Sequence, residues 1–401
     1  MSKLRPLYMG SKYRKEAFAR SICCTGPIND CGCEVSTGPL KPSIKDFNVI
    51  DCLGKGGFGS VYLVSKLNET KDNLFALKVV DKNKIKDNSK DIEHALTEME
   101  IMINLEHPFI VKVYDVFESS RRMCYLMEFL QGGELYTWLE RKNVFEEPVA
   151  CYYLAQIFLA LIYLHEEGIL YRDLKPENIM FDFRGNIKLV DFGLSQNHMK
   201  LRETRTMCGT TSYMPPEVIL REWYSYAADW WSFGILAYDM MIGVPPFMGN
   251  NREETRNAIM ENHILFPSEP KISLNAKKLI KSLVIRNPKD RISGWNISHL
   301  SFFDTINFKE IYNQNTVPPL VPDITSPLDV SNFPPESICP KSSENNVSEN
   351  VVDTTEDTDS SESNIFDEFP EILSKTCTNH EIPSSPKIRM NPNNHRINRL
   401  P

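Results

Sequence analysis

Between Phe47 and about Phe303 apolar residues recur densely with regular punctuation, and both flanks lose that density. Three stretches at the front of this zone alternate or run apolar and β-branched: FNVIDCL, SVYLV and LFALKVV. Side chains two apart share a face of a sheet, so these stretches predict strands, with NETKDN as the turn between the second and third. In DIEHALTEMEIMINLEH, the residues Ile92, Ala95, Leu96, Met99 and Met102–Ile103 recur at helical spacing and predict an amphipathic helix. VKVYDVF and CYLMEFL predict two further strands. The remainder reads as mainly helical, notably PVACYYLAQIFLALIYLHEE and the apolar stretch around DWWSFGILAYDMMIG. A small strand-rich lobe is therefore expected ahead of a larger helical one, an α+β arrangement.

The 401 residues are 41% hydrophobic and 24% charged, which is globular composition with room for one large domain or two to three smaller ones. A net charge of −8 gives no support to nucleic-acid binding, which usually shows a basic face. No run of about 18 apolar residues is expected to span a bilayer. The basic start, MSKLRPLYMGSKYRKEAFAR, lacks the apolar segment of a secretory peptide. A cytoplasmic protein, with access to the nucleus, is expected, and with it ten reduced cysteines. Cys23, Cys24, Cys31 and Cys33 cluster, but their spacing does not match paired zinc knuckles, and the bland reading is a thiol-bearing leader.

Four zones follow from these shifts. Residues 1–46 read as a flexible basic leader and 47–303 as the folded domain. Residues 304–375 form an extension, first Pro-rich (VPPLVPDITSPL) and then acidic (VVDTTEDTDSSES), which cannot bury enough surface to fold alone. Residues 376–401 read as a flexible basic tail.

Chemistry enters with LGKGGFGSVYLV, which holds G-x-G-x-x-G as Gly54, Gly56 and Gly59. Dinucleotide-binding folds use the same spacing to open a helix. Here the following residues alternate like a strand, which favours a glycine hairpin over phosphates, with a structural β-turn as the plain alternative. Lys78 lies on the third strand between Ala76, Leu77, Val79 and Val80, so its ammonium needs a partner. Glu98, among the apolar residues of the predicted helix, has the same need. Paired, they leave Lys78 aimed at nucleotide phosphates. Then GILYRDLKPENIMFDFRGNIKLVDFGLS places Asp173, Lys175, Asn178 and Asp191 close together between strand-like pieces. A charge cluster is usually a solvated loop, but two Asp and an Asn held between buried strands suit Mg²⁺, which prefers oxygen ligands.

These segments together resemble a eukaryotic protein kinase. YRDLKPEN, with Tyr where most kinases carry His, resembles the AGC group of Ser/Thr kinases, and CGTTSYMPPE, DWWSFG and the R-I-S-G at Arg291 extend the likeness. The resemblance implies a bilobal kinase fold, with a β-rich N-lobe, a mainly helical C-lobe and the group's C-terminal extension. It implies that Leu53, Gly54, Gly56, Gly57, Gly59 and Val61 cover ATP. Lys78, held by Glu98, grips its α- and β-phosphates, and Met127, Glu128 and Leu130 form the hinge beside adenine, with Glu134 at its end. Asp173 would accept the substrate hydroxyl's proton, and Lys175 would neutralise the travelling phosphoryl group. Asn178 and Asp191 would hold two Mg²⁺ ions. Glu134, Glu177 and Asp239 would form an acidic patch that reads basic residues upstream of a Ser/Thr acceptor; each read alone is a surface acid. Thr206 matches the activation-loop phosphosite, where phosphate beside Arg172 would order the loop and an upstream kinase of the phosphoinositide-dependent type would add it.

Within the group, YLMEFLQGGELYTWLER, NNREETRNAIM, DVSNF and PKIR resemble the ribosomal protein S-six kinases of the seventy-kilodalton type. There Phe366 and Phe369, in NIFDEFPEIL, would fill an apolar pocket beside the helix carrying Glu98 and favour its active position. The alternative is a linear motif for another protein. Three departures stand out. Pro370 occupies the place of a phosphorylatable Thr, the N-terminal acidic-hydrophobic docking sequence is not evident, and only Thr354 or Thr355 could replace the turn site. A fourth, Pro215 in place of the Ala of A-P-E, fixes φ and removes an N–H. Glu217 remains, so its salt bridge to Arg291 is expected. The partners implied are basic-directed protein substrates and the activating kinase, on a monomer with no nucleic acid and no membrane domain. A protein-kinase-B-like or C-like enzyme is the near alternative, and a silent kinase-shaped scaffold the distant one.

Overall fold

The computed structural model describes residues 46–55, 59–67, 73–81, 101–118, 122–196 and 204–333. Five strands form the first layer: β1 (Phe47–Lys55), β2 (Gly59–Lys66), β3 (Leu74–Asp81), β4 (Val113–Glu118) and β5 (Arg122–Glu128). They pair antiparallel in the order β1-β2-β3-β5-β4. The period-two pattern decides the two faces. Phe47, Val49, Tyr62, Val64, Leu77, Val79, Phe117, Cys124 and Leu126 pack into one cluster. Leu53, Leu63 and Ala76 gather on the other face with Phe333. Lys78 shares the register parity of Ala76, so it projects from that second face.

The helical layer contains α1 (Leu135–Lys142), α2 (Glu147–Glu166), α3 (Ala227–Ile242), α4 (Arg252–Glu261), α5 (Leu274–Leu283) and α6 (Phe308–Tyr312). A hairpin of β6 (Ile179–Phe181) and β7 (Ile187–Leu189) carries the loops between them. Helices α2 and α3 are buried nearly all round, which is why neither shows a polar stripe. By length and composition α2 could cross a membrane, contrary to the expectation that no such run exists, but 83% of its apolar window is buried inside the fold. Its hydrophobicity is that of a core helix.

Of the predicted helix only residues 101–107 are described, helical over 101–104 and not beyond; Glu98 lies outside the described residues. Ile101, Met102 and Leu105 join the same continuous core as α2 and α3. The loop after them is tied down where Glu106 N–H donates to the Tyr163 hydroxyl of α2 at 3.1 Å. The two layers are thus joined by packing as well as by chain.

Residues 313–333 return over the helical lobe toward the sheet. Gln131 Nε2 donates to Pro327 O at 2.8 Å, Arg141 to Asn332 Oδ1 at 3.2 Å, and Tyr152 and Thr316 share a hydroxyl bond of 3.0 Å. Gly133 permits this return: at φ +75° a Cβ there would sit 2.4 Å from Asn332 O. The extension is held by backbone approach as much as by side chains. Cys124, Cys151 and Cys208 are free thiols, as expected, whereas Cys52 is disulfide-bonded and departs from the all-thiol reading. Phe366, Phe369, Pro370, Thr354, Thr355 and the Cys23–Cys33 cluster lie outside the described residues.

Candidate active site

The loop between α2 and β6 is shaped from below by Asp229 of α3. This fully buried carboxylate accepts from Tyr171 N–H (3.0 Å), Arg172 N–H (2.8 Å) and the His165 ring (2.7 Å). Arg172 adopts φ 71°, a left-handed conformation that a non-glycine residue holds only when its surroundings enforce it. Two hydrogen bonds to one buried carboxylate supply that enforcement. The Arg172 guanidinium reaches the segment after Asp191, donating to Leu194 O, Ser195 O and Gln196 Oε1.

Asp173 follows, nine-tenths buried. Asn178 Nδ2 donates to its Oδ2 at 2.8 Å and to its backbone O at 2.9 Å. Lys175 Nζ stands 3.0 Å from the same Oδ2 and donates to Thr210 Oγ1 at 3.1 Å. Thr210 in turn donates to Asp173 Oδ1 at 3.4 Å. One carboxylate is therefore fixed by an amide, an ammonium and a hydroxyl, and Thr210 ties the segment near residue 206 to the loop that carries Asp173.

Asp191, also left-handed at φ 58°, sits 3.3 Å from Lys78 Nζ and accepts from Gly193 N–H at 3.3 Å. The Lys78 charge holds its carboxyl below the usual range against the opposing pull of burial, with the Gly193 bond adding to the depression. It is an anion at neutral pH. The Nδ2 of Asn178 is engaged with Asp173, which leaves its amide oxygen as the free donor atom. An anionic carboxylate and an amide oxygen fit Mg²⁺, which binds through one or two protein oxygens and completes its shell with phosphates and water. Among the described residues no group of three or more His, Cys, Asp or Glu forms a full metal cage.

Above the loop, Leu53, Ala76 and Phe333 form an apolar cluster with Val61, Met127, Phe129 and Met180 packed against it. Phe129 and Phe333 stack, their ring centroids 6.1 Å apart and their planes 13° apart. Along β5 and the segment after it, Met127 and Phe129 face this cradle while Glu128 turns to the rear. There its Oε1 accepts from Lys112 N–H (2.7 Å) and pairs with Lys188 Nζ (2.9 Å). Glu128 thus contributes backbone, not side chain, to the front. Leu130 is buried in the helical core. Gly59 closes the sheet end of the cradle; a Cβ there would lie 2.0 Å from Val79 O. Gly54 has open space around it, and Gly56 and Gly57 lie outside the described residues.

The predicted acidic patch divides. Glu177 is exposed, and Glu134 precedes α1 half-buried. Burial first, then the nearby Glu177 charge, raise the Glu134 pKa, while Lys175 partly offsets them. Asp239 lies beneath the surface and accepts from the Tyr213 hydroxyl at 2.7 Å. Thr206 is exposed, and its carbonyl accepts from the Tyr224 hydroxyl at 2.6 Å. The neighbouring Thr204 and Tyr224 pair through two backbone hydrogen bonds of 2.8 and 2.9 Å. Pro215 sits at φ −77° before a helical turn over Pro216–Ile219, a value its ring favours, so the extra proline introduces no distortion. Glu217 and Arg291 pair as expected, at 2.8 and 3.1 Å, both fully buried.

Sequence reasoning did not single out Phe333, Thr210 or Asp229. The phrase DVSNF ends in Phe333, and CGTT and DWW contain the other two, so each sat inside a motif quoted for resemblance without a role of its own.

Comparison with known proteins adds two findings. The family model described as "Protein kinase domain" matches residues 47–303. The chain is also 38% identical over 309 residues to ribosomal protein S6 kinase alpha-3 of Mus musculus. That match covers 75% of this chain and 41% of the mouse protein, so the chain spans about two-fifths of its relative's length.

Proposed function

Because the chain belongs to the protein kinase family, we propose that it transfers the γ-phosphoryl group of Mg-ATP to Ser or Thr in proteins with basic residues upstream of the acceptor. The carrying observation is the fixed carboxylate of Asp173, held by Asn178, Lys175 and Thr210 in one connected set. A hydroxyl donor entering beside Asp173 meets an oriented acceptor for its proton, and Lys175 supplies positive charge where the migrating group gains negative charge. Lys78 would steady the α- and β-phosphates, and Asn178 with Asp191 would hold Mg²⁺. The bound metal would neutralise charge on the phosphates. Purine would lie in the cradle between Leu53, Ala76, Met127 and Phe333.

Basic-residue preference rests on Glu177, exposed beside the half-buried Glu134, which presents paired negative charge near Lys175. The exposure of Thr206 supports its modification by an upstream kinase. A peptide library read by phosphate incorporation tests the substrate class. Arg or Lys upstream of Ser is expected to dominate, and Glu177→Gln should weaken that preference while leaving transfer to a basic-free peptide unchanged. A library without upstream preference would refute this part of the proposal.

Phe333→Ala offers a test of the cradle. Removing a ring that the sheet and hinge bury is expected to raise the KM for ATP by roughly tenfold, since each 1.4 kcal/mol of lost contact is a factor of ten. The kcat should change much less, because Phe333 touches no reacting atom. Steady-state kinetics over a range of ATP concentrations separates the two.

A further inference from the structure

Helix α5 carries a strip of like charge with nothing opposite it. Leu274, Lys277, Lys278 and Lys281 recur at i, i+3, i+4 and i+7, so they share one face, while Ala276, Leu279, Ile280 and Leu283 are buried on the other. Lys278 and Lys281 are exposed and Lys277 is half-buried. Phe266 lies against this strip. Its ring is set by Tyr238 of α3, whose ring centroid is 5.6 Å away and whose hydroxyl donates to Leu265 O at 2.7 Å. Lys277 Nζ stands 5.6 Å, and Lys281 Nζ 5.7 Å, from the centroid of that one ring. A ring face attracts a cation, but ammonium groups one helical turn apart repel each other. Among the described residues no carboxylate forms an ion pair with Lys277, Lys278 or Lys281. Glu147, the acid that meets the start of the helix, is committed to Ser273, accepting from its N–H at 2.9 Å and its hydroxyl at 2.5 Å.

Apolar surface borders the charge: Leu265, next to Phe266, is 79% exposed and Leu274 is 67% exposed. Scattered singly such leucines need no explanation, but here they stand beside three unmatched lysines. We propose that this face of α5, with Leu265 and Phe266, is a docking surface for a partner protein that presents an acidic segment. Its Asp or Glu carboxylates would bridge Lys277 and Lys281, and its apolar side chains would rest on Leu265 and Leu274. Charge complementarity selects the acid, and the leucines select a polypeptide. A nucleic-acid backbone would make no use of them, and the ring on which a base would stack already carries two ammonium groups. An anionic bilayer calls for a longer run of basic residues, whereas exposed Glu269 follows Phe266 by three residues. The inference does not depend on the phosphoryl-transfer reading.

The test uses the full chain and two fluorescent peptides. One alternates leucine with aspartate or glutamate; the other carries asparagine and glutamine in place of the acids. Anisotropy titration at low salt is expected to show the acidic peptide binding about fivefold more tightly, the worth of two exposed ion pairs. Raising the salt to about 0.5 M should bring that ratio toward one. Lys277→Ser with Lys281→Ser should abolish the preference, and Lys277→Arg with Lys281→Arg should keep it, since Arg holds the charge and stacks on a ring. Should the serine pair fail to fold, amine acetylation of the wild type carries the test: the acidic peptide should slow labelling of Lys277 and Lys281, and the amide peptide should not. A chain carrying Asp353→Asn, Glu356→Gln, Asp357→Asn, Asp359→Asn and Glu362→Gln should bind as the wild type does. Binding gained only in that chain would assign the surface to its own acidic stretch and overturn the proposal. Equal affinity for the two peptides, a preference that survives in the serine pair, or sedimentation with phosphatidylserine vesicles that the serine pair loses would each overturn it too.

Discussion

Asp173→Asn lowers kcat for phosphoryl transfer to a Ser peptide by about 10²–10⁴, the range that an oriented proton acceptor contributes. The substitution keeps the volume and one acceptor oxygen. Because Asn178 Nδ2 and Lys175 Nζ both approach Oδ2, the amide must turn its oxygen toward them. The amide NH₂ is then left on the side where Oδ1 receives Thr210, and a group that accepted a proton has become a donor. The loop itself is held by Asp229 beneath Tyr171 and Arg172, which the change does not touch. Circular dichroism and the KM for ATP should therefore stay close to wild type while kcat falls. A variant with wild-type kcat would remove Asp173 from the chemistry.

The largest effect on stability is expected at Arg291. Its guanidinium donates to both Glu217 oxygens, to Ile285 O at 2.9 and 3.1 Å and to Ala227 O at 2.6 Å, and it lies 5.1 Å over the Trp231 ring. Arg291→Ala leaves a buried carboxylate and two buried carbonyls unmatched and should destabilise the domain by about 3–5 kcal/mol, the usual result of breaking a buried pair from one side. For a domain of this size that is a loss of roughly 10 °C in Tm. Arg291→Lys should rescue little, since one ammonium cannot reproduce a planar fork. Arg291→Met combined with Glu217→Gln should recover part of the loss, because it removes both charges together. Urea unfolding of the set reads these differences. Equal midpoints for wild type and Arg291→Ala would show that the pair has no structural weight.

Much of this architecture was legible in the chain because local pattern and local structure coincide. The apolar, β-branched run LFALKVV predicted the strand that carries Lys78, and FNVIDCL and SVYLV fell as strands where period two placed them. PVACYYLAQIFLALIYLHEE folds as α2 within a residue at each end. The Asp173, Lys175, Asn178 and Asp191 group converges because a short β-hairpin folds the residues between them away. Other features were beyond pattern reading. Phe333 reaches the sheet cradle from about 200 residues downstream of Phe129, and apolarity reports that a ring is buried without reporting against what. For Glu128 the resemblance implied a place in the hinge without a direction for its side chain, which the alternation of a strand sends to the rear. The ion pair of Lys78 with Asp191 was not foreseen; its expected partner Glu98 lies outside the described residues. The contacts of the Arg172 side chain with Leu194, Ser195 and Gln196 were also not legible, because loop path rather than composition sets them.

The central claim is that one cleft, between the sheet face bearing Lys78 and the loop bearing Asp173, passes phosphate from ATP to a hydroxyl. Incubation with Mg²⁺, radioactive γ-labelled ATP and a Ser peptide carrying an upstream Arg measures it directly, with Asp173→Asn alongside. The account predicts labelled phosphoserine from the wild type and a signal at least a hundredfold weaker from the variant, the lower bound for loss of an oriented proton acceptor. Equal labelling by the two proteins would contradict it.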